Sequence, residues 1–190
     1  MLDPSVFSAR RRRLMEQVDG PVLLLGNGLQ SRNLPMNKLP FRQDSTFLYF
    51  TGCDIPGAAA WLDGSGCTLF VPAPAEDDDL WHGPTPTLDE LGRALGVDAV
   101  RPADELEGRV DGASPRVLAV ADEERNRTFG ALTDTTLRFG QDHGDSSLVD
   151  AVIRLRRTKG PEEIAQMREA ARHSAAAHHA VMRATRPGGH

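Results

Sequence analysis

The sequence predicts an α/β domain built on a mixed β-sheet, and three observations support this prediction. First, the apolar run Pro21-Val22-Leu23-Leu24-Leu25 stops at a glycine-rich turn and has the length of a buried strand. Second, residues 58–62 and 67–71 have strand composition, and the sequence Asp63-Gly64-Ser65-Gly66 between them favours a hairpin turn. Third, short helical and strand patterns alternate after this hairpin, as is typical of α/β domains.

The N-terminal third gives two further elements. Residues 5–18 are predicted to form a helix with Ser5 as its N-cap, and the four arginines at 10–13 are expected to form a solvated face. Residues 46–53 are aromatic and rich in strand-forming side chains, and the segment is bounded by Gly52 and Pro56, which favours a strand.

Helices and strands are predicted to alternate after the hairpin. Thr87 and Glu90 have the spacing of a capping box for a helix over 87–95, which Gly96 ends. Pro161 and the acidic residues after it begin a long helix with an apolar face, stopped by Pro187 and Gly188. The other predicted elements are strands at 98–100, 116–120 and 137–139 and helices at 103–110, 123–132 and 146–156.

The amino-acid composition argues against several classes of function. Of the 190 residues, 39% are hydrophobic, enough for an ordinary core. The net charge of −5 argues against a general nucleic-acid or membrane-surface binder. The only two cysteines, Cys53 and Cys67, lack the spacing of a disulfide framework. We also expect no signal peptide and no membrane span. A reduced, cytoplasmic location is the simple interpretation.

Charge is distributed unevenly along the chain. Residues 151–190 hold eight Lys or Arg and three Glu, so residues 1–150 carry a net charge of −10. We therefore expect a body of about 150 residues followed by a segment of different character.

The residues alone do not predict a self-contained active site. Gly26-Asn27-Gly28 lacks the third glycine and the following helix of a dinucleotide-binding turn, so a strand-to-loop turn is the better interpretation. The acidic run 76–79 lacks metal-ligand spacing and is expected to be a solvated loop. The sequence also lacks a nucleophile elbow, a zinc-binding histidine pattern and a phosphate-binding loop.

Several segments in order nevertheless resemble one family. Residues 41–52, Phe-Arg-Gln-Asp-Ser-Thr-Phe-Leu-Tyr-Phe-Thr-Gly, closely resemble the FRQxSxFxYxTG signature of the N-terminal domain of Xaa-Pro aminopeptidases. Residues 7–14 resemble the opening F-x-x-R-R-x-x-L helix of the same family, and 56–58, 69–72 and 81–83 follow in the expected order. Residues 157–164 and 186–188 resemble the entry to the pita-bread metallopeptidase domain.

This resemblance implies a three-layer α/β/α fold with a mixed, about six-stranded sheet. It implies an N-terminal domain over 1–157, and a linker with the first catalytic-domain helix over 158–190. The catalytic domain of the family holds two divalent metals, commonly manganese, on two Asp, one His and two Glu, and cleaves the bond before a proline. None of these ligands is assigned here, so we expect a piece or truncated member with no catalytic or metal-binding residue and no activity alone.

The resemblance also assigns two candidate sites. Trp81 stands where the family places an aromatic at the mouth of a neighbouring subunit's active site, while packing in a loop or a subunit interface is the slightly preferred alternative. Arg42, Gln43 and Asp44 are expected either at a subunit interface or, preferably, in a hydrogen-bonded loop network. Residues 31–39 depart from the family's S-x-D-x-x-Y pattern, which puts an ammonium-binding carboxylate there in doubt.

The expected partners are a second copy of the chain and, in the parent enzyme, proline-containing peptides. The apolar face of the last helix is expected to mediate self-association. A prolidase N-terminal domain and a non-catalytic interaction module remain alternatives. Substrate length separates an aminopeptidase from a dipeptidase, and metal ligands beyond residue 190 separate an enzyme from a module.

Overall fold

A mixed sheet forms the centre of the larger of two compact units. The computed structural model describes residues 2–75, 78–141 and 143–188, and leaves the side chains of Trp81 and His82 undescribed. The units are Met1–Leu155 and Arg156–His190. The predicted boundary between residues 157 and 158 stays a prediction.

Five strands form the sheet among the described residues: β1 (Val22–Leu25), β2 (Ala59–Asp63), β3 (Gly66–Val71), β4 (Ala99–Pro102) and β5 (Arg116–Val117). Their order is β4-β3-β2-β1-β5. The hairpin β2–β3 and the pair β1–β2 are antiparallel, while β1–β5 and β3–β4 are parallel. The sheet is therefore mixed, as predicted, with one strand fewer than the expected number of about six.

Helices lie between these strands and after them. The described helices are α1 (Pro4–Met15), α2 (Ser45–Thr51), α3 (Asp78–His82), α4 (Leu88–Leu95), α5 (Leu106–Val110), α6 (Glu123–Leu132), α7 (Ser146–Arg157) and α8 (Pro161–Ala184). A short 3₁₀ turn, Ala103–Glu105, leads into α5. The capping box on Thr87 and Glu90 and the left-handed Gly96 after α4 are confirmed.

Side chains alternate across the sheet and separate the core into two layers. Val22 and Leu24 of β1 pack with residues of α1, α2, α4 and α7 on one face. Leu23 and Leu25 pack with residues of α5 and α6 on the other face. Because successive strand residues point to opposite faces, this arrangement gives the predicted three-layer α/β/α fold.

The strand predicted at 46–53 is wrong, because these residues form helix α2. Asp44 caps the helix by accepting hydrogen bonds from the backbone N–H groups of Thr46 and Phe47, at 2.8 and 2.9 Å. Gly52 ends it in the left-handed conformation, with φ 67°. Phe47, Phe50 and Thr51 are then buried on one side. Local capping thus overrides the strand propensity of the aromatic side chains.

The first helix differs from the prediction in its cap and in its arginines. Asp3, not Ser5, is the N-cap. Arg10 and Arg11 are buried, so only Arg12 and Arg13 match the expected solvated face. The guanidinium of Arg10 donates to the carbonyl of Tyr49 at 2.9 Å, and that of Arg11 to Phe50 at 2.9 Å and to Gly96. These carbonyls lie at helix C-termini, where backbone acceptors lack helical partners.

Two further predictions are corrected. Residues 137–139 do not form a strand of the sheet, although Leu137 is buried in the second core layer. In the acidic run, residues 76 and 77 lie outside the described residues, while Asp78 and Asp79 begin helix α3 instead of lying in a loop.

The second unit contains the long helix α8. Gly160 precedes it, and the carboxylate of Glu163 accepts a hydrogen bond from the Gly160 N–H at 2.9 Å. None of the residues of α8 is buried. In the described part of the chain, no helix is long and apolar enough to cross a membrane.

Candidate functional site

A cleft lies at the carboxyl ends of β1 and β5 in the first unit. It has a volume of about 380 Å³. Its lining is Asn27, Gly28, Gln30, Leu39, Pro40, Phe41, Arg42, Gln43, Asp44, Ser45, Ala121 and Phe139. The cleft therefore combines the turn after β1, the segment that leads into α2 and the segment that leads into α6.

The position of this cleft follows from the sheet topology. β1 and β5 are parallel, so the chain leaves both strands at the same edge of the sheet. After β1 it continues to α2, which packs on one face, and after β5 to α6, which packs on the other. Diverging connections of this kind leave a crevice between adjacent parallel strands, where open α/β sheets commonly bind ligands.

Gln43 holds the wall of the cleft together. Its side chain is 5% exposed. The Oε1 atom accepts hydrogen bonds from the backbone N–H groups of Asn27 and Asp44, at 2.8 and 2.9 Å. Its Nε2 atom donates to the carbonyl of Ile55 at 3.0 Å. A single buried amide thus joins the turn after β1, the start of α2 and the loop before β2.

The start of α6 fixes the same turn from the opposite side. The buried carboxylate of Asp122 accepts a hydrogen bond from the Gly28 N–H at 2.9 Å and also caps α6. Arg125 donates to the carbonyls of Gly26 and Ala58, at 3.2 and 2.9 Å. Burial lowers the pKa of Arg125, while the nearby carboxylate of Asp122 opposes that shift.

Gly26 is needed because the backbone approaches closely. A Cβ atom at Gly26 would lie 2.8 Å from the carbonyl oxygen of Ala58 and 2.9 Å from Oε1 of Gln43. The short contact with backbone oxygen cannot be relieved by a side-chain rotation. Gly26-Asn27-Gly28 is therefore a tightly packed strand-to-loop turn, as predicted.

The accessible side chains of the cleft include a cation, several apolar groups and the exposed polar residues Gln30 and Ser45. Arg42 is exposed, and no hydrogen bond or ion pair of its guanidinium lies within the described residues. Phe139 is 57% exposed, Leu39 is 37% exposed, and Phe41 is half-buried. The carboxylate of Asp44 also lines the cleft, and one of its oxygens is engaged in capping α2.

Comparison with known protein families identifies the family of this chain. The profile of the family described as "Aminopeptidase P, N-terminal domain" matches residues 7–116, which is more than half of the sequence. The chain belongs to the aminopeptidase P N-terminal domain family.

Relatives and solved structures agree with this membership. A probable Xaa-Pro aminopeptidase of Uncinocarpus reesii is 30% identical over 157 residues, covering 78% of this chain and 31% of the relative. The mitochondrial intermediate cleaving peptidase 55 of Arabidopsis thaliana is 25% identical over 176 residues, covering 87% and 34%. The chain thus spans about a third of the length of these curated relatives.

The fold is that of aminopeptidase P. The low-pH form of aminopeptidase P from E. coli aligns with a TM-score of 0.79 and 26% identity, over 99% of this chain and 46% of the solved one. Proline aminopeptidase P II from Yersinia pestis aligns with the same TM-score at 23% identity, over 99% and 47%, and supports the fold.

Arg42, Gln43 and Asp44, the residues predicted from the aminopeptidase P signature, differ in burial and in hydrogen bonding. Gln43 and Asp44 lie in a hydrogen-bonded loop network, the preferred interpretation, while Arg42 projects from it as an exposed side chain. A place for these three residues at a subunit interface stays a prediction. Trp81 belongs to α3, but its side chain lies outside the described part of the structure, so its role also stays a prediction.

Sequence reasoning missed Asp122 and Arg125, which hold the cleft from the side of α6. Asp122 directly precedes the predicted helix 123–132, so its position as an N-cap was a usable signal. The contact of both residues with the turn at 26–28, nearly 100 positions earlier, had no local signal. In the described parts of the chain, no three or more His, Cys, Asp or Glu side chains form a group that could hold a metal ion.

Proposed function

We propose that this chain serves as the non-catalytic N-terminal domain of an Xaa-Pro aminopeptidase. Such a metallopeptidase removes the N-terminal residue from peptides whose second residue is proline. The family match over residues 7–116 carries this proposal. The names of relatives such as the Uncinocarpus reesii protein support the aminopeptidase over the prolidase.

The domain is proposed to support oligomerisation and to shape access to the active site of a neighbouring subunit. Helix α3 carries Trp81, and the adjacent Leu80 is 79% exposed. The face of a tryptophan ring can pack on a proline ring. Proline-containing peptides and a second copy of the chain are thus the proposed partners.

The chemistry of the reaction is assigned to the catalytic domain of the family. Two divalent metals, with manganese as the proposed ion, would activate the attacking water there. The described residues of this chain offer no fitting donor set, so we derive no catalytic step through them. A cytoplasmic location is also proposed, although one relative carries a mitochondrial name.

One experiment tests the non-catalytic role. The purified 190-residue protein is incubated with manganese and an Xaa-Pro tripeptide, and release of the first residue is followed by chromatography. We expect no cleavage above the protein-free control. Manganese-dependent release that persists through repeated purification would contradict the proposal.

A second experiment tests substrate access, in the complete gene product if its catalytic domain follows this one. Trp81→Ala should raise the KM for tripeptides several-fold without a matching loss of kcat, because a binding surface is removed while the reacting groups stay. Leu80→Ala is the matched control for a general effect on α3. Kinetics unchanged by Trp81→Ala would contradict the access role, and rejection of tripeptides by the wild type would instead indicate a dipeptidase.

A further inference from the structure

The cleft at the carboxyl ends of β1 and β5 has an exposed cation at its rim. Arg42 is exposed, and its guanidinium has no hydrogen-bond or ion-pair partner in the part of the chain that the structure describes. Its backbone is held in place, since the Asn27 side chain donates to the Arg42 carbonyl at 3.0 Å. The side chain of the following residue, Gln43, accepts a hydrogen bond from the Asp44 N–H. A guanidinium presents donors in a fixed fork that matches the two oxygens of a carboxylate.

Apolar side chains make up much of the accessible rim, beside the exposed polar residues Gln30 and Ser45. Phe139 and Leu39 expose 57% and 37% of their surface, and Phe41 and Pro40 complete this side of the cleft. Phe139 contacts the His143 ring edge-to-face, with a centroid distance of 6.2 Å. A ligand with a negative group next to an apolar one would match Arg42 and these apolar side chains.

The size of the cleft is compatible with a small ligand. The volume of about 380 Å³ is within the range of small-molecule sites, roughly 300–1,000 Å³. Both side-chain polar atoms of Gln43 form hydrogen bonds within the chain, and one oxygen of Asp44 caps α2. Arg42 is thus the member of the predicted Arg-Gln-Asp interface set that remains available to an outside partner.

We propose that this cleft binds the free C-terminal end of a short peptide whose last side chain is apolar. The carboxylate pairs with the guanidinium of Arg42, and the side chain packs against Phe139, Leu39 and Phe41. Asp44 lies on the same wall, and its carboxylate repels anionic ligands, so a peptide end with one carboxylate is favoured over one with two. This site is independent of the proposed access role of Trp81 and of any catalytic domain.

The test measures binding of N-acetyl-Leu-Phe and of its C-terminal amide to the 190-residue protein. Isothermal titration calorimetry gives the affinities, and NMR chemical-shift changes locate the binding site. We expect the free acid to bind at least about tenfold more tightly than the amide, because the amide lacks the charge that Arg42 pairs with. Equal binding of the two peptides, or no binding of the acid, would overturn the proposal.

Variants separate the two contacts. Arg42→Gln should weaken binding of the acid about tenfold and leave the weak binding of the amide unchanged, while Arg42→Lys should give an intermediate loss. Phe139→Ala should weaken both peptides. Arg32→Gln removes an exposed arginine of the same loop outside the cleft lining and should leave binding unchanged.

A second copy of the chain is the competing occupant of the cleft. If a second copy occupies the cleft, the Arg42→Gln variant will have a lower sedimentation coefficient than the wild type. The acid peptide will then also reduce self-association of the wild type. That result would replace the peptide with a subunit contact and overturn the proposal. The Xaa-Pro aminopeptidase assignment would be untouched in either case, because the measurement needs no catalytic domain.

Discussion

At the scale of single residues, a few side chains fix the turn between β1 and α2. Gln43 satisfies three backbone groups from three segments, and Asp122 and Arg125 reach the same turn from α6. Leaving one buried backbone group without a partner costs about 1–3 kcal/mol. The signature that identifies the family is thus, at Gln43 and Asp44, a set of structural hydrogen bonds.

Gly26→Ala is expected to lower the free energy of unfolding by about 1–3 kcal/mol, because the new methyl group would press on the Ala58 carbonyl oxygen and on Gln43. Urea unfolding followed by circular dichroism measures the change. Gly64→Ala is the matched control, since a Cβ there meets no atom within 4 Å. Its effect should stay within about 0.5 kcal/mol, and equal losses for both variants would contradict the close-approach explanation.

At the scale of elements, α1 is tied to the ends of two other helices. The buried positions of α1 are Phe7, Arg10, Arg11 and Leu14, which are the fixed positions of the F-x-x-R-R-x-x-L pattern. Arg10 lies 4.0 Å over the Tyr49 ring, and Arg11 donates to carbonyls at the ends of α2 and α4. The charge of an arginine near helix C-termini also complements their dipoles.

Arg11→Gln should destabilise the first unit by about 2–3 kcal/mol, because two helix-terminal carbonyls lose a charged donor in a buried place. Thermal and urea unfolding both report this loss. Arg12→Gln, at an exposed position of the same helix, should change stability by no more than about 0.5 kcal/mol. If the two variants were equally stable, the buried hydrogen bonds of Arg11 would contribute little.

The sequence predicted most elements, because their signals are local. The hairpin β2–β3, the capping box of α4 and the bounds 123–132 of α6 follow from turn and cap residues that lie within a few positions of each other. The strand predicted at 46–53 failed, because the aromatic residues of α2 fit a buried helix face as well as a strand. The caps Asp44 and Gly52 were the signal that should have decided it.

At the scale of the whole molecule, the chain consists of the sheet unit and the unit of α8. Apolar side chains of α8 such as Met167 and Met182 are 58% and 73% exposed. They share one face with Ile164, which also extends the apolar stripe predicted from the sequence. Water contact with such a stripe is unfavourable, so a partner surface is expected.

We expect the wild-type protein to self-associate at high concentration through this face, and the double variant Met167→Glu, Met182→Glu to remain monomeric. Analytical ultracentrifugation over a concentration series measures both. The double variant Gln166→Glu, Ala180→Glu adds the same charge on the opposite face of α8 and should associate like the wild type. A wild-type chain that stays monomeric at every concentration would contradict this prediction.

By itself, the sequence determined the α/β class, the hairpin, the bounds of α4, α6 and α7 to within one residue, and the family, because these depend on periodicity, caps and motifs that are local in the chain. Only the tertiary structure decided that Arg10 and Arg11 are buried and that Arg42 is exposed. It also decided that residues 27, 28, 30, 39–45, 121 and 139 line one cleft. These outcomes depend on which segments meet across the edge of the sheet, and the parallel pairing of β1 with β5, far apart in the chain, has no short-range signal in the residues.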